Sequence, residues 1–273
     1  MTKGPIGVFD SGYGGLTVLR EIVKSLPNHD IIYLGDNART PYGTRSFETI
    51  YEYTWECVQE LFSLDCPLVI LACNTASAKA LRTIQQKNLP ITAPTNRVLG
   101  VIRPTAEVIH SYTKTGHIGV LGTSGTVSSE SYLLEIKKQS PDLKVYQQAC
   151  PLWVPLVETG EYNAPGADFF VKKYLDELFQ QSDLIDTLLL ACTHYPLLIE
   201  KIKEYAPKQV SIINQGEIVA PSLKDYLERH PDMNARISQN GLRKFLTTDS
   251  SYGFDQKATI FYGEEIKSNI VHI

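Results

Sequence analysis

The sequence predicts an α/β protein made of two similar halves, each a parallel-type sheet flanked by helices. Three observations point there. Short aliphatic or β-branched runs alternate with longer segments of helical period, the pattern of strands joined by crossover helices. The runs are apolar throughout rather than at every second residue, as strands buried on both faces are. The alternation also recurs at long range. IGVFDSGYGG (6–15) returns as IGVLGTSGTV (118–127), and LVILACNT (68–75) returns as LLLACTHY (188–195), at offsets of 112 and 119 residues. Similar offsets in two separate pairs favour duplication of one unit over chance likeness between buried strands.

The elements follow in order. IGVF (6–9) reads as a strand, and GLTVLREIVKSL (15–26) as a helix with Leu16, Leu19, Ile22, Val23 and Leu26 on one face. IIYL (31–34) is a strand, and SFETIYEYTWECVQELFSL (46–64) a helix with Ser46 at its N-cap. LVILA (68–72) is a strand followed by a helix over roughly 76–86. Strands are expected again at IGVL (118–121), KVYQQA (144–149), TLLLA (187–191) and VSII (210–213). The turn-rich stretch KNLPITAPTNR (87–97) and the region around 205–216 are the expected crossings between halves. One domain is therefore expected to comprise 1–97 and 215–273, the other 98–214, with a cleft between them.

Bulk properties narrow the function. The chain has 273 residues, 43% hydrophobic and 21% charged, enough for a large core. A net charge of −4 without runs of Lys or Arg argues against nucleic acid as a partner. No apolar run approaches a membrane span, and the opening MTKGPIGVFDSG carries no apolar signal region, so the cytoplasm is the expected compartment. Five cysteines at irregular spacing suit a reducing compartment better than a disulfide framework. With no CxxC pair, no metal site is expected.

Ligands of open α/β sheets bind outside the carboxyl ends of the strands. Cys73 and Cys192 each follow an apolar strand and emerge at that end. Across a shared cleft, two thiols suit removal of a proton from one face of a carbon and delivery of another to the opposite face. An ordinary thiol pKa near 8.5 lies in a useful range for this exchange. Either cysteine alone reads equally as core filler; it is the pairing, with polar residues after each, that points to chemistry. Cys57 and Cys66 read as structural, and Cys150, just before Pro151, as core filler or a chemical group, with core filler favoured. Asp10 and Ser11 open the turn DSGYGG (10–15), where they can orient a base or cap a helix. Asn74, Thr75 and Thr193 offer short donors for a carboxylate or, alternatively, helix caps. His194, two residues after Cys192, can lower that thiol's pKa or relay its proton.

Together DSGYGG, PYGTRS (41–46), ACNTAS (72–77), GTSGT (122–126) and ACTHYPLL (191–198) resemble the glutamate racemases, in the right order and over essentially the whole chain. The resemblance implies the two-domain aspartate/glutamate racemase fold with pseudo-twofold symmetry. It implies cofactor-independent interconversion of L- and D-glutamate for peptidoglycan synthesis, in a homodimer. On that pattern Cys73 with Asp10 serves D-glutamate, and Cys192 with His194 serves L-glutamate. Ser11, Tyr42, Gly43, Asn74, Thr75 and Thr193 match substrate-holding positions, and Thr126 and Glu158 resemble further cleft residues. NQGE (214–217) departs from the acidic or serine-containing segment expected there. The rival expectations are a racemase of aspartate or another small amino acid, a binding or regulatory protein on this scaffold, and a thiol redox protein.

Overall fold

The computed structural model describes residues 3–273, and ten strands form two parallel sheets. The larger contains β1 (Ile6–Asp10), β2 (Ile31–Gly35), β3 (Leu68–Leu71), β4 (Arg97–Gly100), β9 (Arg243–Thr247) and β10 (Ser268–Ile270), in the order β10-β9-β2-β1-β3-β4. The smaller contains β5 (His117–Gly122), β6 (Lys144–Ala149), β7 (Thr187–Ala191) and β8 (Ser211–Asn214), in the order β6-β5-β7-β8.

The predicted duplication has a counterpart in this topology. The order β2-β1-β3-β4 repeats as β6-β5-β7-β8, all parallel. The two IGV strands, β1 and β5, hold equivalent interior places, as do the two cysteine-bearing strands, β3 and β7. Every residue of β1, β2, β3, β5 and β7 is buried, which explains their largely apolar character. The helix Leu16–Ser25 buries Leu16, Leu19 and Ile22 as its periodicity predicts. The helix Phe47–Ser63 starts where Ser46 accepts a hydrogen bond from the Thr49 amide.

Three expectations need correction. The helix after β3 begins at Asn74, not 76, because the side chain of Cys73 is its N-cap. Helical structure then continues through the presumed crossing to Thr92, with a π-helical turn at Ile84–Asn88 just before Pro90, which has no N–H to give. The stretch ends in β4, an unforeseen strand of the larger sheet, so the expected boundary at 97 falls on that strand's first residue. β9 and β10 were not expected as strands either; they extend the larger sheet beyond β2. Among the described residues, no helix is long and apolar enough to cross a membrane.

Candidate active site

The carboxyl ends of β1, β3 and β7 deliver Asp10, Cys73 and Cys192 to one region, the geometry that parallel sheets dictate. Here a cleft, partly open to solvent, is lined by both cysteines. Ser11, Tyr42, Gly43, Asn74, Thr75, Thr193 and His194 also line it. Asp10 is completely buried and lies behind the cavity surface rather than on it.

On the Cys73 side, the Ala76 amide donates to the sulfur at 3.5 Å and the thiol donates to Ser11 Oγ at 3.6 Å. Burial, reinforced by the nearby Asp10 carboxylate, pushes the Cys73 thiol up to about 12. The ordinary thiol pKa assumed from sequence therefore does not hold at this position. Asp10 is itself raised by burial, against the opposing pull of His194. Its carboxylate accepts from the Gly12 amide at 3.0 Å and from Thr193 Oγ1 at 3.4 Å, joining the first loop to the Cys192 loop. Thr17 Oγ1 reinforces that joint through the carbonyls of Gly14 (2.8 Å) and Thr193 (3.1 Å).

On the Cys192 side, His194 is buried, with Nε2 3.0 Å from Glu158 Oε1. Burial alone would depress the imidazole, but its neighbours Cys192 and Glu158 prevail and push it up to about 10. The imidazolium form this favours is paired with the Glu158 carboxylate. Gly14 makes this packing possible. A Cβ there would lie 2.2 Å from Thr193 Oγ1 and 2.5 Å from His194 Nδ1. The second glycine of DSGYGG therefore serves close approach.

Two anchors shape the rest of the cleft. The Tyr42 hydroxyl donates to the buried carboxylate of Asp36, which also accepts from Arg39 Nε at 2.7 Å and Thr248 Oγ1 at 2.8 Å. Tyr42 thus offers the cleft its ring, its hydroxyl being engaged elsewhere. The hydroxyls of Thr75, Thr123 and Thr126 form a triangle with sides of 2.9, 3.2 and 3.4 Å, and the Gly125 amide donates to the Gly43 carbonyl at 2.9 Å. Thr126 and Glu158 stand behind lining residues. Sequence reasoning missed Thr40, Pro41, Thr44, Thr123, Ser124, Pro151, Val154 and Pro155 in the lining. Thr123 had a usable signal, since it caps the helix Ser124–Ser128 directly after β5. Among the described residues, no group of three or more His, Cys, Asp or Glu side chains is placed to hold a metal ion.

Two parallel half-sheets that present a thiol from equivalent strands to one cleft are the layout of a racemase fold, and the comparisons agree. The chain belongs to the Asp/Glu/Hydantoin racemase family, which matches residues 6–222. Within that family it is similar to proteins named glutamate racemase. One from Sulfurihydrogenibium sp. is 43% identical over 261 residues, covering 95% of this chain and 94% of that protein. The crystal structure of glutamate racemase isoform RacE1 from Bacillus anthracis superposes with a TM-score of 0.90 at 37% identity, covering 100% of this chain and 99% of that one. The Francisella tularensis glutamate racemase in complex with D-glutamate gives a TM-score of 0.86 at 31% identity, covering 100% and 98%.

Proposed function

We propose that this protein interconverts L- and D-glutamate by a two-thiol proton transfer without a cofactor, supplying D-glutamate for peptidoglycan synthesis. The observation that carries the reading is that Cys73 and Cys192 line one cleft, each with a distinct polar partner group. The full-length similarity to glutamate racemases supports glutamate as the substrate. Two domains, divided as the sequence suggests except that β4 belongs with the first, would hold the substrate between them in a cytoplasmic homodimer.

In this scheme D-glutamate loses its α-proton to the Cys73 thiolate, and the Cys192 thiol delivers a proton to the opposite face. For L-glutamate the roles exchange. Each turnover leaves one thiol protonated and the other ionised, so exchange with water resets the pair. A thiol held near 12 is protonated in the empty site and a strong base once ionised. Asp10 can take that proton, and the substrate ammonium would then favour the resulting anion. His194, paired with Glu158 as an imidazolium, gives Cys192 a proton back after that thiol has delivered its own. The α-carbon has no electron sink beyond its own carboxylate, so hydrogen bonds that tighten as charge moves onto it stabilise the transition state. Ser11, Asn74, Thr75 and Thr193 are the donors assigned to that work.

The experiment is racemisation of L-glutamate and, separately, L-aspartate by purified protein without added cofactor, followed by chiral chromatography. D-Glutamate formation at a rate well above that of D-aspartate supports the reading. Faster aspartate turnover assigns a different substrate, and no turnover of either rejects the enzyme.

A further inference from the structure

Behind the cleft wall, three side chains from separate parts of the chain close a hydrogen-bonded ring on Asn74. Asn74 Nδ2 donates to Gln215 Oε1 at 2.6 Å, and the Tyr132 hydroxyl donates to Asn74 Oδ1 at 2.6 Å. Gln215 Nε2 completes the ring by donating to the Tyr132 oxygen. Asn74 follows Cys73 and lines the cleft. Tyr132 comes from the helix Ser131–Gln139 beside the smaller sheet, and Gln215 opens the helix Gln215–Arg229, where the chain leaves that sheet. All three are nearly or fully buried.

A ring of two carboxamides and a hydroxyl can run in either direction, since each amide can flip. Here the backbone selects one. Gln215 Nε2 also lies 3.4 Å from the Val101 carbonyl and 3.4 Å from Thr105 Oγ1. The carbonyl can only accept, and the Thr105 hydrogen is already given to that same carbonyl at 2.9 Å. Only the NH₂ end of Gln215 suits this position, so its oxygen must face Asn74. Tyr132, accepting from Gln215, has its single hydrogen left for Asn74 Oδ1. Burial raises the Tyr132 hydroxyl well above the ordinary phenol range, which keeps that hydrogen in place. The direction set at Val101 thus reaches Asn74 and leaves one N–H on Nδ2 uncommitted.

We propose that Gln215 is a positioning residue for racemisation: through the ring it fixes the Asn74 carboxamide as a donor, with its free N–H available to the substrate carboxylate. This rests on the reading of Asn74 as a substrate contact. A flipped amide would set an oxygen against that carboxylate, so losing the ring weakens a bond needed most in the transition state. The segment NQGE, which departs from the resemblance, thereby acquires a role in the site.

The test is a double-mutant cycle on the full-length protein, read as kcat and KM for both glutamate enantiomers, with thermal melting to check folding. Gln215→Met and Tyr132→Phe are each expected to lower kcat/KM about tenfold or more, mainly in kcat, as for loss of one charge-assisted hydrogen bond. Added to Asn74→Ala, either change is expected to cause no further loss, because the ring acts only through Asn74. Tyr132→Phe removes one oxygen and decides the matter should Gln215→Met not fold. Wild-type kinetics in Tyr132→Phe overturn the proposal. So does a Tyr132→Phe loss that persists undiminished in an already impaired Asn74→Ala protein, although the site reading then survives. Wild-type kcat/KM in Asn74→Ala removes both.

Discussion

Replacing Gly14 with alanine adds one methyl group where the site has no room for it. The added carbon falls 2.2 Å from Thr193 Oγ1 and 2.5 Å from His194 Nδ1, so those side chains must retreat by about 1 Å to restore ordinary contact. Gly14 is not among the glycines with positive φ, so the penalty is steric rather than conformational. Overpacking of this kind costs about 1–3 kcal/mol, partly offset by about 0.4–1 kcal/mol from the lower entropy of the unfolded chain. Melting should therefore fall by only a few degrees, about 2–4 °C per kcal/mol at this size. Activity should suffer far more, because a displacement of about 1 Å in a catalytic constellation can cost about 100-fold. The assay is the initial rate of L-to-D conversion by chiral chromatography, alongside a melting curve. Gly166→Ala is the control: nothing lies within 4 Å of a Cβ there, and full activity is expected. A Gly14→Ala protein with more than a third of wild-type activity would refute the claim that close approach at Gly14 sets the Thr193–His194 geometry.

Other consequences follow from the same site and fold. Cys73→Ser and Cys192→Ser should each abolish racemisation of both enantiomers while leaving the melting temperature within a few degrees of wild type. His194, raised from an ordinary 6.5 to about 10, adds stability that is complete below pH 6.5 and is lost as pH rises through about 10. Melting curves between pH 6 and 10 should show that decline, and Glu158→Gln should move it to lower pH because the carboxylate partner is gone. Asp30, despite burial, is held down to about 2 by donors that include Ser238, Asn240 and the Leu242 amide. Its contribution is present above the ordinary carboxylate range and disappears as pH falls through about 2. Asp30→Asn should cost about 1–3 kcal/mol in denaturant unfolding at neutral pH, since it unpins the entry to β9.

What the sequence reveals and conceals has a physical basis. The buried strands β1, β3, β5 and β7 declare themselves because burial on both faces requires unbroken apolar runs. Cys73 and Cys192 stand out because strand ends place them together in space. β4 was hidden because RVLG is short, only partly buried, and follows turn-forming residues. β9 and β10 read poorly for a similar reason: RKFLT opens with two charged residues, and SNI spans three residues near the chain end. Within the site, Thr40 and Pro151 lie on loops, where no periodicity marks a side chain as lining a cleft. The raised pKa of Cys73 was also beyond reach, since it depends on burial and on Asp10, 63 residues earlier in the chain.

The central claim is that two sulfurs serve opposite faces of one stereocentre, and the isotopic fate of the α-hydrogen tests it most directly. L-Glutamate incubated briefly in deuterated water, then separated by enantiomer, should yield D-glutamate carrying deuterium from the first turnovers, while unreacted L-glutamate stays largely protiated. D-Glutamate that retains its original hydrogen would mean that one base carries the proton across both faces, and would contradict the account.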